Sequence, residues 1–205
     1  MSGVLDVVLL TEVFVTLFVI MDPPGTIPVF LSLTSGRSPA TIRKAAWQAV
    51  AVSFFVIVVF ALFGQGILRY MHISIPALQG AGGLLLLLIA LELLTGNEKE
   101  PSASQDVNIA LVPLGTPLLA GPGAIVAVML FVQRVDDFGT FAAVALGIVL
   151  MHVTLWLAMR FSVNILRVIR ESGVLLVTRI AGLLLSAIAV QMVADAVRAF
   201  AAGEG

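Results

Sequence analysis

The sequence lacks cysteine entirely, and only 11% of its 205 residues are charged. The absence of thiols excludes disulfides, iron–sulfur clusters, thiolate zinc sites and cysteine nucleophiles. A net charge of −1 at pH 7 creates no field that would attract nucleic acid or a strongly acidic partner. The two histidines, His72 and His152, lie in unrelated stretches, so we expect no metal site and no cofactor.

Apolar residues, by contrast, make up 60% of the chain. A soluble domain contains roughly 45–50% apolar and about 25% charged residues, so a soluble globular protein and a disordered chain are both excluded. A helix needs about 20 mostly apolar residues to cross a bilayer. Six stretches meet this requirement, namely residues 4–33, 45–68, 75–94, 109–132, 138–159 and 174–200.

Helices, rather than the strands of a membrane β-barrel, account for these stretches. Barrel strands alternate apolar and polar residues, whereas residues 84–91 are apolar throughout. The first stretch has neither the positive residues nor the cleavage site of a secretory signal peptide, so we expect it to remain in the mature protein. The sequence therefore predicts an all-α integral membrane protein with six transmembrane helices.

The distribution of lysine and arginine predicts the orientation, because cytoplasmic loops are enriched in both. The loops after the first, third and fifth spans share one side, which holds Arg37, Arg43, Lys44, Lys99, Arg160, Arg167, Arg170 and Arg179. The other side holds only Arg69, Arg134 and Arg198. Both termini are therefore expected in the periplasm. Residues 160–171 are either a short amphipathic surface helix or a plain basic loop.

Two pairs of segments match at nearly the same sequence offset. Residues 83–92 resemble residues 182–191 at an offset of 99, and residues 24–27 resemble residues 122–125 at an offset of 98. Each copy has an odd number of spans, so the copies would enter the membrane from opposite sides, as in many secondary transporters. This predicts two inverted three-helix repeats, with bounds 1–94 and 109–205 and a cytoplasmic linker at 95–108.

Clusters of proline and glycine interrupt the first and fourth spans. Residues 21–28 contain three prolines and Gly25, and residues 113–123 contain a corresponding cluster. Such clusters either kink a membrane helix or break it, and breaks at equivalent repeat positions favour a binding site. Freed amides suit a carboxylate and freed carbonyls suit a cation, as the two ends of an amino acid would require. The predicted substrate-binding residues are Asp22, Pro23, Pro24, Gly25, Thr26, Thr116, Gly121, Pro122, Gly123 and Gln191.

Acidic residues within the spans are candidates for a coupling ion or proton. Asp22 caps the restarting helix, binds H⁺, Na⁺ or a substrate ammonium group, or does both. Glu12 is either protonatable or simply near the outer interface, and Glu92 is either a solvated helix end or a core residue. His152 is expected to bond a neighbouring helix, and Asp195 to pair with Arg198 or snorkel.

The two proline clusters resemble a known family. Residues 21–34 are similar to the first signature of the MarC family of bacterial inner-membrane proteins, and residues 116–125 to its second. Residues 179–192 are also similar, and Pro24 is the one departure. The resemblance implies a multipass inner-membrane protein related to the amino-acid exporter superfamily, which includes lysine exporters. It also implies kinship with transporters of small neutral amino acids.

We therefore expect a secondary transporter or exporter of small amino-acid-like solutes that works by alternating access. The alternative is a non-transporting membrane scaffold or sensor. An enzyme is not expected, because the sequence shows no nucleophile–base pair, no HExxH-like motif and no phosphate-binding loop. The expected partners are a small solute, membrane lipid and H⁺ or Na⁺, and a homo-oligomer is left open. A polar cavity lined by both proline clusters would favour transport.

Overall fold

The computed structural model describes residues 5–34, 36–95 and 119–203. These residues form seven helices and no strand: α1 Val7–Met21, α2 Pro23–Leu33, α3 Pro39–Tyr70, α4 Ile75–Thr95, α5 Pro122–Val132, α6 Phe138–Arg160 and α7 Ser162–Ala201. The all-α prediction is confirmed for this part of the chain. Thr116 and the linker predicted after Thr95 lie outside the described residues.

Five of the described segments are long and apolar enough to cross a membrane: Val7–Leu31, Pro39–Tyr70, Ile75–Thr95, Phe138–Arg160 and Ser172–Ala201. They coincide with the predicted first, second, third, fifth and sixth spans. Of the predicted fourth span, the structure describes only its second part, as the 11-residue helix α5. Large apolar side chains such as Phe55, Leu84 and Leu183 are exposed on these helices, as lipid-facing surfaces require.

Local sequence signals set several helix ends. Ser38 caps α3 by accepting a hydrogen bond from the Thr41 amide, and Pro39 occupies the first turn, where its missing N–H costs nothing. Asp137 and Thr140 form a capping box at the start of α6. Near the start of α7, Arg170 has φ 60° and ψ 165°, which separates a short helix from the long apolar one. Residues 162–169 are thus helical rather than a plain loop.

Helices α4 and α7 pack closely through glycines. A β-carbon placed on Gly83 would lie 2.8 Å from the carbonyl oxygen of Ala189, and one on Gly182 would lie 3.2 Å from that of Ala90. Small residues allow such backbone approach between membrane helices. Gly83 lies beside Ala189, and Ala90 lies beside Gly182. Residue numbers therefore run in opposite directions along α4 and α7, so the two helices are antiparallel.

Histidine 152 bonds a neighbouring helix, as predicted. The buried ring of His152 on α6 lies 3.3 Å from the Ser53 hydroxyl on α3 through Nε2. Its Nδ1 lies 2.8 Å from the Ile148 carbonyl oxygen. A carbonyl can only accept, so Nδ1 carries the proton of the neutral ring and Nε2 accepts from Ser53.

Candidate functional site

The first span is interrupted at Asp22, which has φ 38° and ψ 70° in the left-handed region. Pro23 and Pro24 follow and have no N–H, so the carbonyls of Val19 and Ile20 lose their usual helical donors. The backbone of Asp22 serves both neighbouring helices: its amide donates to the Phe18 carbonyl at 3.1 Å, and its own carbonyl accepts from the Thr26 amide at 3.0 Å.

The side chain of Asp22 is buried without a hydrogen bond. Only 6% of the residue is exposed, and neither carboxylate oxygen has a hydrogen-bond partner among the described residues. The groups that face it are the Gly25 amide and the Thr178 hydroxyl of α7. Thr178 is equally buried at 6%, and its hydroxyl is also without a partner in the described part of the chain.

Gly25 allows the Asp22 carboxylate to fold back over the first turn of α2. A β-carbon on Gly25 would collide with Asp22 Oδ2 and would lie 3.0 Å from Thr178 Oγ1. Thr26, one residue further along α2, donates from its hydroxyl to the Asp22 carbonyl at 3.0 Å. Pro23 is buried and Pro24 half-buried at the start of the same helix. The first proline cluster therefore forms one compact joint.

The second cluster opens α5. Gly121 precedes the helix with φ −61° and ψ 162°, and no side chain caps this end. Exposed Pro122 is the first helical residue, and the first helical bond runs from the Ile125 amide to the Gly121 carbonyl at 3.2 Å. A β-carbon on buried Gly123 would lie 3.5 Å from Ile20 Cγ2. The two interruptions are therefore neighbours, since Ile20 lies two residues before Asp22.

A cavity of about 640 Å³ lies beside the first joint, between α2, α4 and α7, and its lining comprises Gly25, Pro28, Leu93, Leu166, Ser172, Val174, Leu175, Leu176, Thr178 and Arg179. Asp22 is not in the lining, whereas Gly25 and Thr178, which face its carboxylate, both are. Gly121, Pro122 and Gly123 do not line it either. Among the described residues, only the first proline cluster borders this space.

Three other predicted site residues, Glu12, Glu92 and Gln191, are not among the residues that line the cavity. Exposed Glu12 forms an ion pair with Arg134 at 2.6 Å, and the hydrogen bond to that carboxylate raises the pKa of Arg134. Glu92 is exposed near the end of α4. Exposed Gln191 donates to Asp195 at 2.9 Å. Asp195 also pairs with Arg198 at 3.3 Å, as predicted.

Sequence reasoning missed Thr178 and Arg179 as site residues. Thr178 follows the apolar run of residues 174–177. Nothing in the sequence singles it out, because a lone threonine in a membrane helix commonly bonds its own backbone. Its position opposite Asp22 depends on how α7 is rotated, which the sequence does not specify. The sequence around Arg179 indicates an orientation and a family resemblance but no binding role.

An all-helical bundle with several membrane-crossing segments, exposed apolar side chains and a buried, unpaired acid at a helix break defines a multipass integral membrane protein. Residues 7–201 match the family described as MarC family integral membrane protein, and the chain belongs to that family. The resemblance noted in the sequence is thereby confirmed.

Relatives match over nearly the whole chain. A UPF0056 membrane protein of Methanocaldococcus jannaschii is 38% identical over 90% of this chain and 94% of its own length. A UPF0056 membrane protein of Aquifex aeolicus is 37% identical, covering 93% of both chains. The UPF0056 membrane protein YhcE of Escherichia coli is 34% identical, covering 90% of both. No solved structure matches the chain.

Proposed function

We propose that this protein is a secondary transporter of small amino-acid-like solutes, which bind in the cavity between α2, α4 and α7. The observation that carries the proposal is the Asp22 carboxylate, buried without a hydrogen bond at a helix break beside that cavity. Buried polar groups are nearly always paired. Ionisable residues held inside a membrane protein mark ion or substrate pathways, and a packed scaffold has no need of one.

The cavity lining suits a solute with a carboxylate and a small side chain. Arg179 supplies a guanidinium, which binds carboxylates through two parallel hydrogen bonds. Ser172 and Thr178 add hydroxyls, while leucines and Val174 provide the apolar remainder. A few polar groups on a mostly apolar surface are typical of small-molecule sites. We therefore take a neutral amino acid as the substrate class.

The helix contacts support an inverted repeat of two three-span halves. If the α1–α2 span is exchanged with α5, α3 with α6, and α4 with α7, several of the observed contacts map onto other observed contacts, although among the described residues the α6–α7 and α5–α6 contacts do not. The α1–α6 contact becomes the α3–α5 contact, and the α4–α5 contact becomes the α2–α7 contact. Halves related in this way can exchange conformations, which opens a central site to each side in turn.

The proposed orientation places the cavity on the cytoplasmic side of a bacterial inner membrane, with both termini in the periplasm. Of the lining residues, Leu166 follows the fifth span, while Ser172 and Arg179 lie at the start of the sixth, on the side where cationic residues concentrate. The positive-inside rule assigns that side to the cytoplasm. The structure would then represent a state open to the cytoplasm.

Counterflow in proteoliposomes tests the proposal. Vesicles loaded with unlabelled alanine should accumulate external labelled alanine through the wild-type protein. Arg179→Gln should raise the KM for alanine about tenfold or more, because a charge-assisted hydrogen bond contributes about 1.5–3 kcal/mol. Arg43→Gln, which removes an exposed arginine of α3 away from the cavity, is the matched control. Absence of counterflow for every amino acid tried would favour the scaffold or sensor instead.

A further inference from the structure

We infer that Asp22 and Thr178 together form a binding site for a small monovalent cation, a proton or an alkali-metal ion. The site lies behind the cavity wall and joins the two halves of the protein. Its role as the coupling site rests on the proposed function, whereas binding itself can be measured without any solute. The solute cavity and the cation site would share Gly25 and Thr178 as a common wall.

The charge balance at Asp22 is the first argument. The residue is 94% buried because only 6% of it is exposed, and neither described ion pair includes it. A buried carboxylate without a partner is strongly disfavoured in a low-dielectric interior. A proton or an alkali-metal ion would supply the positive charge that balances the carboxylate.

The surrounding atoms favour a small, hard cation. The side-chain groups that meet at the joint are the carboxylate of Asp22 and the hydroxyl of Thr178, both without hydrogen-bond partners among the described residues. Oxygen ligands of this kind suit hard cations. The described residues contain no cluster of three acidic, histidine or cysteine side chains, so a divalent ion is not favoured.

The position of the site gives it a mechanical consequence. Asp22 belongs to the joint between α1 and α2, and Thr178 belongs to α7, so a cation held by both ties the first half to the second. Gly25 keeps the space between them open, because its β-carbon would meet both side chains. Loss of the cation would leave an unpaired charge at this contact and release α2 from α7. Cation binding and solute access are thereby linked.

Thermal unfolding of the purified protein in detergent, without solute, tests the inference. The midpoint temperature Tm is measured in NaCl and in choline chloride at several pH values. If the ion is Na⁺, Tm should rise with the logarithm of its concentration. If it is a proton, Tm should be indifferent to Na⁺ and rise as the pH falls from 8 to 5. Thr178→Ser should retain the wild-type response and Asp22→Asn should lose it, whereas Thr178→Val should lose a response to Na⁺ or shift a response to pH.

Asp136→Asn, in the exposed loop before α6, should respond as the wild type does. The inference is overturned if Asp22→Asn or Thr178→Val keeps the wild-type response, or if neither Na⁺ nor pH changes the Tm difference between the wild type and Asp22→Asn. A wild-type Tm response without counterflow would support the cation site and contradict the transport proposal. Counterflow without a Tm response would contradict the cation site alone.

Discussion

Ser53 and His152, whose side chains meet at 3.3 Å in the buried interior, are 99 residues apart in the sequence. This is the offset that relates Gly83 to Gly182, the two glycines at the α4–α7 contact. A residue that touches its own counterpart must lie on the axis that relates two repeated halves. In the proposed inverted repeat, Ser53 and His152 would be counterparts on the axis between α3 and α6.

Removal of this hydrogen bond should weaken the bundle. Ser53→Ala should lower the free energy of unfolding by about 0.5–1.5 kcal/mol, the net value of an ordinary hydrogen bond. His152→Ala should cost more, because it also leaves a cavity beside Phe54, whose ring centroid lies 5.1 Å from the imidazole. Thr154→Ala is the control, since Thr154 bonds only its own helix at Leu150. Thermal unfolding in detergent measures all three, and equal losses would contradict this account.

The α4–α7 contact should tolerate no added methyl group at Gly83. Alanine there would place a β-carbon 2.8 Å from the Ala189 carbonyl, and overpacking of this kind costs about 1–3 kcal/mol. Gly182→Ala should cost less, because its nearest carbonyl lies at 3.2 Å. Gly66→Ala is a matched control in α3, where nothing lies within 4 Å. It should stabilise the protein by up to about 1 kcal/mol through helix propensity.

Gly25, like Gly83, should not tolerate an added methyl group. Its substitution should also change cation binding. Gly25→Ala would push the Asp22 carboxylate away from Thr178, so the variant should lose the cation response of Tm. Gly121→Ala is the matched control in the second cluster, because φ −61° and ψ 162° suit any residue. An unchanged cation response in Gly25→Ala would show that the contact between Asp22 and Thr178 is not needed for binding.

The N-terminal cap of α6 should make the folding stability depend on pH in the acidic range. The Thr140 amide, and then its hydroxyl, hold the pKa of the exposed Asp137 carboxyl below its ordinary value. Since this pKa is lower in the folded than in the unfolded state, the stabilisation is complete above the unfolded value near pH 4. It is lost as the pH falls through the folded value.

The variant Asp137→Asn separates this effect from the titration of the other acidic residues. Asparagine caps a helix about as well as aspartate but does not titrate in this range. The difference in Tm between the wild type and the variant should therefore be constant above about pH 5 and should shrink as the pH falls below 4. A difference that stays constant over the whole range would mean that the Asp137 charge does not stabilise the cap.

The sequence predicted five spans that the structure shows, and the break at Asp22, because hydropathy and proline act locally. It did not predict which side of each helix faces the interior. In a membrane protein both the lipid face and the packed face are apolar, so periodicity does not reveal the rotation of a helix. Gln191 and Glu92 consequently lie on exposed surfaces, and Thr178, which faces Asp22, was overlooked.

Asp22 is the residue on which the proposed transport depends most directly, and ion-coupled uptake of labelled alanine into proteoliposomes tests its role. Across an imposed Na⁺ or proton gradient, the wild type should accumulate alanine, and Asp136→Asn should match it. Asp22→Asn, folded as judged by gel filtration and circular dichroism, should show only the uptake of empty vesicles. Wild-type uptake by Asp22→Asn would contradict the proposed role of Asp22, because such a carrier would work without the buried carboxylate.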